Sequence, residues 1–206
     1  MILVNILKEL SYKNLKYIIC EGVYEPSDDT FLLIDNLMVN DGDFVLEIGT
    51  GTGLVAMIAS QQAKKIIATD VSSLALKCAS QNIKLNDLTS KIELREGQLF
   101  EPIHPNERFD VILINPPYLP ADSLEIDDTL TQSWSSGKDG RTIIDEFLQY
   151  FDNYLKKHGR VQLIQSSLSM PEETIRAINK KGMKIEKISE KNFFYEKIIL
   201  FLIKND

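Results

Sequence analysis

The sequence predicts an α/β fold: an open, mostly parallel sheet covered by helices on both faces and finished by an antiparallel hairpin. Three observations carry this. Short apolar runs at Phe44–Ile48, Ile66–Thr69, Val111–Ile114 and Val161–Gln165 show no polar alternation, which marks strands buried on both faces. The stretches between them are amphipathic and long enough for helical crossovers. The last two β-rich runs, Ile185 to Phe194 and Lys197 to Ile203, are separated only by Tyr195 and Glu196, too little for a crossover, so they pair as a hairpin.

Taken in order, an apolar, β-branched segment from Tyr17 to Val23 is followed by Glu25-Pro26-Ser27-Asp28-Asp29-Thr30, a loop feeding a helix. Ser27 or Asp28 serves as N-cap, with acidic groups at the positive end of the helix dipole. A turn at Asp41-Gly42-Asp43 precedes the strand Phe44 to Ile48, and a helix from about Leu54 to Gln62 follows. Strand Ile66–Thr69, helix Ser73–Leu85, strand Ile92–Leu94 and strand Val111–Ile114 continue the series. An irregular stretch runs to about Gly140, then come a helix from Arg141 to Tyr154, strand Val161–Gln165 and a helix from Pro171 to Lys181. With the hairpin this makes seven strands.

The length of 206 residues fits one domain spanning 1–206, and the chain reads as a whole domain and not a fragment. A hydrophobic content of 44% and a charged content of 26% are ordinary for a globular chain and exclude a disordered or disulfide-framework protein. The net charge of −7 disfavours a groove built to neutralise phosphates. Cys20 and Cys78 read as two separate core thiols in a reducing compartment, and no Cys/His cluster offers a metal site. Lys8, Glu9, Lys13 and Lys16 interrupt any signal peptide, and no apolar run approaches a membrane span, so a cytoplasmic protein is expected. Lys180, Lys181, Lys184, Lys187 and Lys191, interleaved with Glu186 and Glu190, read as a solvated face, and His104 and His158 as surface residues.

Two constellations carry chemistry. Glu47-Ile48-Gly49-Thr50-Gly51-Thr52-Gly53 lies between a strand and a helix, where glycines permit a tight turn and close approach of backbone to ligand. Asp70 ends the next strand, seventeen residues after Gly53, and suits a carboxylate that accepts both hydroxyls of a ribose. Together they indicate an adenosine-bearing cofactor. Glu47, Asp28 and Asp29 place negative charge near that loop, which suits the ammonium and sulfonium of S-adenosylmethionine better than a pyrophosphate. The second constellation, Asn115-Pro116-Pro117-Tyr118, stands at the carboxyl end of a buried strand, the edge where open α/β sheets bind ligands. The prolines fix the backbone so that the Asn115 side-chain oxygen and the Pro116 carbonyl converge on an NH₂ group, orienting its lone pair for methyl transfer, while Tyr118 stacks on a planar substrate.

These motifs resemble the class I, S-adenosylmethionine-dependent methyltransferases that act on planar nitrogens. The front end Val23-Tyr24-Glu25-Pro26-Ser27-Asp28-Asp29-Thr30-Phe31-Leu32-Leu33 and the later Trp134-Ser135-Ser136-Gly137-Lys138-Asp139-Gly140-Arg141 are similar to the short HemK-like forms of archaea and eukaryotes. The resemblance implies a Rossmann-like class I methyltransferase fold, with residues 1–40 as an extension closing over the cofactor site. It implies N5-methylation of the glutamine in the Gly-Gly-Gln motif of a class I peptide chain release factor, with S-adenosyl-L-homocysteine as product. Thr30, Glu47, Gly49, Thr50, Gly51, Gly53, Asp70, Val71, Gln98, Leu99 and Asn115 would contact the donor, and Asn115, Pro116, Pro117 and Tyr118 would hold the glutamine. Gln98 stands where the family usually has aspartate, keeping a carbonyl acceptor for the adenine amino group but losing the charge. The short forms also imply a small zinc-binding activator as heterodimer partner.

The rival readings are an adenine-N6 or guanine-N2 methyltransferase of nucleic acid and a catalytically silent scaffold. Against the first, Asp122, Glu125, Asp127 and Asp128 follow Tyr118 with no Lys or Arg from Ala121 to Leu130, a field that repels phosphate and attracts a basic protein loop. A scaffold has no structural need to keep both motifs intact.

Overall fold

The computed structural model describes residues 5–117 and 140–205. The chain opens with a hairpin, β1 (Ile6–Tyr12) and β2 (Leu15–Cys20), turned at Lys13 in the left-handed region. It continues through α1 (Asp28–Asp35), β3 (Phe44–Ile48), α2 (Leu54–Ala59), β4 (Lys65–Asp70), α3 (Ser73–Leu85), β5 (Ile92–Glu96) and β6 (Phe109–Ile114). After residue 139 come α4 (Thr142–Tyr150), β7 (Leu155–Ser166), α5 (Pro171–Lys180), β8 (Lys184–Asn192) and β9 (Lys197–Lys204).

The seven-stranded sheet has the order β5-β4-β3-β6-β7-β9-β8. Strands β5, β4, β3, β6 and β7 run parallel, and β9 is antiparallel to both β7 and β8, so the mostly parallel sheet with a terminal hairpin is as expected. Period-two alternation divides the core. Val45, Ile66, Val111, Leu113 and Ile164 face a layer made by α1, α2 and α3, whereas Leu46, Ile67, Ile112, Ile114 and Leu163 face one that includes Ile144, Phe147 and Ile178 of α4 and α5. Every one of these strand residues is wholly buried, which is why β3, β4 and β6 read as continuous apolar runs.

Three features depart from the sequence reading. Strand β1 was not expected, because Ile6-Leu7-Lys8-Glu9-Leu10-Ser11-Tyr12 lacks alternation, and all but Tyr12 are exposed. Strand β7 begins six residues before Val161, as Lys156-Lys157-His158 forms a solvated extension of a buried strand and places exposed His158 there instead of in a loop. Cys20 and Cys78 are not separate thiols. They are joined in a disulfide across 58 residues of sequence, because β2 packs on α3 and brings both fully buried sulfurs together. The expectation of free core thiols is corrected on this point.

Asn82 completes the same junction. Its Oδ1 accepts the Ile18 N–H at 2.7 Å, and its Nδ2 donates to Ile18 O at 2.9 Å and to Thr52 O at 2.8 Å, so one buried amide links hairpin, helix and glycine loop. On the far face Arg141, 4% exposed, donates to the carbonyls of Ser169 and Met170 and pairs with Asp145, tying the start of α4 to the turn before α5. Among the described residues no helix is long and apolar enough to cross a membrane, and no cluster of metal-ligating side chains occurs.

Candidate active site

The glycine loop leaves β3 and turns sharply into α2. Gly49, Gly51 and Gly53 all have positive φ, at 76°, 55° and 81°, which L side chains adopt only with strain. Gly53 also packs closely, since a Cβ there would lie 3.1 Å from Ala79 Cβ, whereas one at Gly51 would meet nothing within 4 Å. The loop is thus pressed onto α3 at one glycine and open at the other. The Gly49 and Thr50 N–H groups both donate to Thr69 O at 2.9 Å, fixing the turn against β4.

Asp70, 5% exposed, accepts from the Gly51 N–H through Oδ2 and from the Ser72 N–H through Oδ1, each at 2.9 Å. Each carboxylate oxygen has a second lone-pair site, so an anchored Asp70 can still accept a pair of hydroxyls. Glu47 is 4% exposed and accepts the Thr50 hydroxyl at 2.7 Å. Burial pushes its carboxyl up to about 8; the Thr50 hydrogen bond opposes the rise and the Asp70 charge adds to it. A buried carboxyl in that state gains most from a cationic ligand.

The approach to α1 lies over the same edge. The Tyr24 hydroxyl donates to both oxygens of Asp29 at 3.1 Å, and the Thr30 hydroxyl donates to Asp29 Oδ1 at 3.1 Å. Burial and the Asp29 charge hold the Tyr24 phenol well above its ordinary range. Asp28 pairs with Lys191 of β8 at 2.5 Å, which clamps this segment to the terminal hairpin.

After β5, the Gly97 N–H donates to Asp70 O at 3.0 Å. Gln98 donates through Nε2 to Glu146 Oε2 at 2.9 Å, and a carboxylate that can only accept fixes which end of the amide faces α4. Leu99 is 2% exposed and sits at φ 45°, a left-handed conformation that costs a branched residue about 1–3 kcal/mol. Val71, half-buried, follows Asp70. A cavity of about 670 Å³ opens beside Gln98 and Leu99, bounded by Glu101, Glu146, Tyr150 and Tyr154.

Asn115 follows β6, with Pro116 buried and Pro117 half-buried. Its Oδ1 is buried and accepts no hydrogen bond among the described residues. Leaving such an acceptor unmet costs about 1–3 kcal/mol, an arrangement expected where a ligand completes the bond. Tyr118, the acidic stretch from Ala121 to Leu130 and Trp134 to Asp139 lie outside the described residues. All the other site residues read from the sequence share the carboxyl edge of β5, β4, β3 and β6 or the α1 segment over it. Asn82 and Glu146 were not singled out by sequence, and Tyr24 entered only within the front-end motif. Asn82 could have been, since it breaks the apolar face of α3 formed by Ala75, Cys78, Ala79 and Ile83.

The family model for the methyltransferase small domain matches residues 24–195. The chain belongs to this methyltransferase family. Among the relatives of this HemK-like methyltransferase is a Methanocaldococcus jannaschii protein provisionally named protein N5-glutamine methyltransferase, 46% identical over 166 residues, covering 80% of this chain and 82% of that protein. Methyltransferase HEMK2 of Homo sapiens is 28% identical over 172 residues, covering 78% and 79% of the two chains. The solved E. cuniculi Mtq2–Trm112 complex, responsible for methylation of the eRF1 translation termination factor, aligns with a TM-score of 0.67 at 22% identity, covering 90% of this methyltransferase and 99% of the matched chain. At that identity the likeness is one of fold.

Proposed function

We propose that the protein is an S-adenosylmethionine-dependent methyltransferase that modifies the side-chain nitrogen, N5, of the glutamine in the Gly-Gly-Gln motif of a class I release factor. The observation that carries this is the buried Oδ1 of Asn115 at the carboxyl end of β6, unmet among the described residues. An acceptor waiting for an N–H, beside a glycine loop and an anchored Asp70, is what methylation of a planar amide requires. The provisional name of the M. jannaschii relative and the eRF1 substrate of the E. cuniculi complex support the choice of glutamine in a release factor.

Bound S-adenosylmethionine supplies a methyl group on a sulfonium. Gly49, Thr50, Gly51 and Gly53 give the room and backbone groups to hold it, Asp70 with Val71 takes the ribose, Gln98 and Leu99 take the adenine, and Glu47 with Thr30 takes the charged amino-acid portion. The fit is chemical, since Glu47 and Asp70 offer negative charge to a cation and the open side of Gly51 leaves space. Asn115 Oδ1 accepts one amide N–H of the glutamine, and the Pro116 carbonyl accepts the other. Held at two points, the nitrogen is oriented with its lone pair toward the donor site, where bound donor would supply the methyl group and its sulfur would keep the electron pair of the bond broken. The remaining amide proton leaves to solvent, so no strong base is needed. Pro117 stiffens the turn, and stacking on the planar amide is assigned to Tyr118, which lies outside the described residues.

The same reading takes residues 1–206 as one functional unit, with residues 1–40 closing over the donor site. It includes a small zinc-binding activator as heterodimer partner, supported by the Trm112 subunit of the E. cuniculi complex, and work in the cytoplasm. The test is incubation of the chain, alone and with its activator, with labelled donor and the matching release factor, followed by mass-spectrometric mapping. Label on the Gly-Gly-Gln glutamine is expected; label only on DNA or RNA offered in parallel overturns the reading.

A further inference from the structure

We propose that Phe194 and Tyr195, at the tip of the β8–β9 hairpin, form a docking contact for the folded protein substrate, gripping its surface beside the loop that enters the active site. This rests on the protein-methylation reading above and adds where the substrate is held. Phe194 is 89% exposed and Tyr195 86%, the highest values among the large apolar side chains described, and neighbouring Phe193 is 43% exposed.

The tip is ordered by its own bonds. The Phe193 N–H donates to Glu196 O at 2.7 Å, closing the turn, and the Lys197 N–H donates to Ser167 Oγ at 2.9 Å, tying the start of β9 beside the turn to the residue that follows β7. Lys191 pairs with Asp28, next to Asp29 and Thr30 over the donor end of the sheet. The rings of Phe194 and Tyr195 meet edge to face with centroids 4.5 Å apart. Two rings fixed against each other lose little freedom on contact, which is the property of an anchor.

Register gives the location. Ile114 of β6 aligns with Leu163 of β7, so Asn115 is level with Ile164, whose partner in β9 is Leu200. The last hairpin pair is Asn192 with Lys197, three rows beyond, and the tip stands further still. At about 3.4 Å per row and about 4.8 Å between strands, the two rings rise roughly 15 Å above the level of Asn115 and roughly 12 Å to its side. A free amino acid, or a peptide of five residues extended at about 3.4 Å each, held at Asn115 cannot reach them. A folded protein inserting one loop at Asn115 must pass them.

The charge around the tip selects protein over nucleic acid. Exposed aromatic rings also stack on bases, but such sites carry cations for the phosphates. Here Lys187 and Lys197 pair with Glu190 at 2.8 and 3.8 Å, and Lys191 is taken by Asp28. The lysine-rich strand is locally neutralised.

The test compares the full chain with the double variant Phe194→Ser, Tyr195→Ser, using the matching release factor, a five-residue peptide with Gly-Gly-Gln at its centre, and single-stranded RNA. Because both side chains are exposed, unchanged S-adenosylmethionine binding in calorimetry certifies the fold. The expected result is a KM for the intact factor raised at least tenfold, with kcat on the factor and kcat/KM on the peptide each within twofold of wild type. An unchanged KM for the factor overturns the inference, as does a variant whose only loss is a dimer, an activator complex or RNA binding. If the wild-type chain leaves the release factor unlabelled, the underlying reading falls and takes this one with it. That outcome is read from the wild type alone and is distinct from equality of wild type and variant.

Discussion

Asn115 bears a carbonyl oxygen that is buried without a donor among the described residues. If that oxygen serves the substrate, Asn115→Ala lowers kcat about 100-fold or more, the scale of removing one positioned hydrogen-bonding group from a transition state. The donor dissociation constant should stay within about twofold by titration calorimetry; equal losses in both would make the residue structural. Glu47 gives a second test. Its carboxyl is raised by burial from an ordinary 4.5 to about 8, so between those limits the folded chain keeps a proton that the unfolded chain has lost. Stability falls as pH rises through this window and levels off above about 8. Glu47→Gln does not titrate, so its melting temperature should gain on wild type from pH 5 to pH 8.5, by about 2–4 °C for each kcal/mol of difference. Wild-type donor binding should tighten over the same range and release protons below pH 8, a component absent from Glu47→Gln. A constant gap in melting temperature would show that Glu47 is not the titrating group.

Among elements, the hairpin β1–β2 depends most on distant partners. It is fastened to α3 by the Cys20–Cys78 bond and by Asn82, across 58 and 64 residues of sequence. A bond closing a loop of that length contributes about 2–4 kcal/mol through the unfolded state. Cys78→Ser, measured by urea unfolding against oxidised wild type, should lose that amount, and reductant should destabilise wild type while leaving the variant unchanged. The same element shows what sequence could and could not disclose. β3, β4 and β6 were legible because burial on both faces leaves an unbroken apolar run. The glycine loop and Asn115-Pro116-Pro117 were legible because local geometry there needs those residue types. β1 was not, since Lys8 and Glu9 interrupt a strand that is solvated on nearly every side. Nor was the sulfur pairing, because neither cysteine carries any local sign of its partner. Glu146 was illegible for the same reason: its relation to Gln98 exists only once α4 lies against the loop after β5.

At the scale of the molecule, the sheet gathers Asn115, Glu47, Asp70 and Gln98 along one edge while the hairpin rises beside them. The net charge of −7 is set against nucleic acid throughout. Duplex and single-stranded DNA should therefore be methylated at least 100-fold more slowly than a release factor at physiological salt, measured by donor label transfer; comparable rates would refute a protein substrate. Asn82 has a consequence for how the whole molecule opens. Both polar backbone groups of Ile18 are held by a helix side chain with no exposure to solvent, so α3 acts toward β2 as an adjoining strand would. The Ile18 amide should then exchange with deuterium only when the hairpin leaves α3, while the end of β1 exchanges by fraying. Comparing that one amide with those of β3 and β6 times the departure of the hairpin against the opening of the sheet.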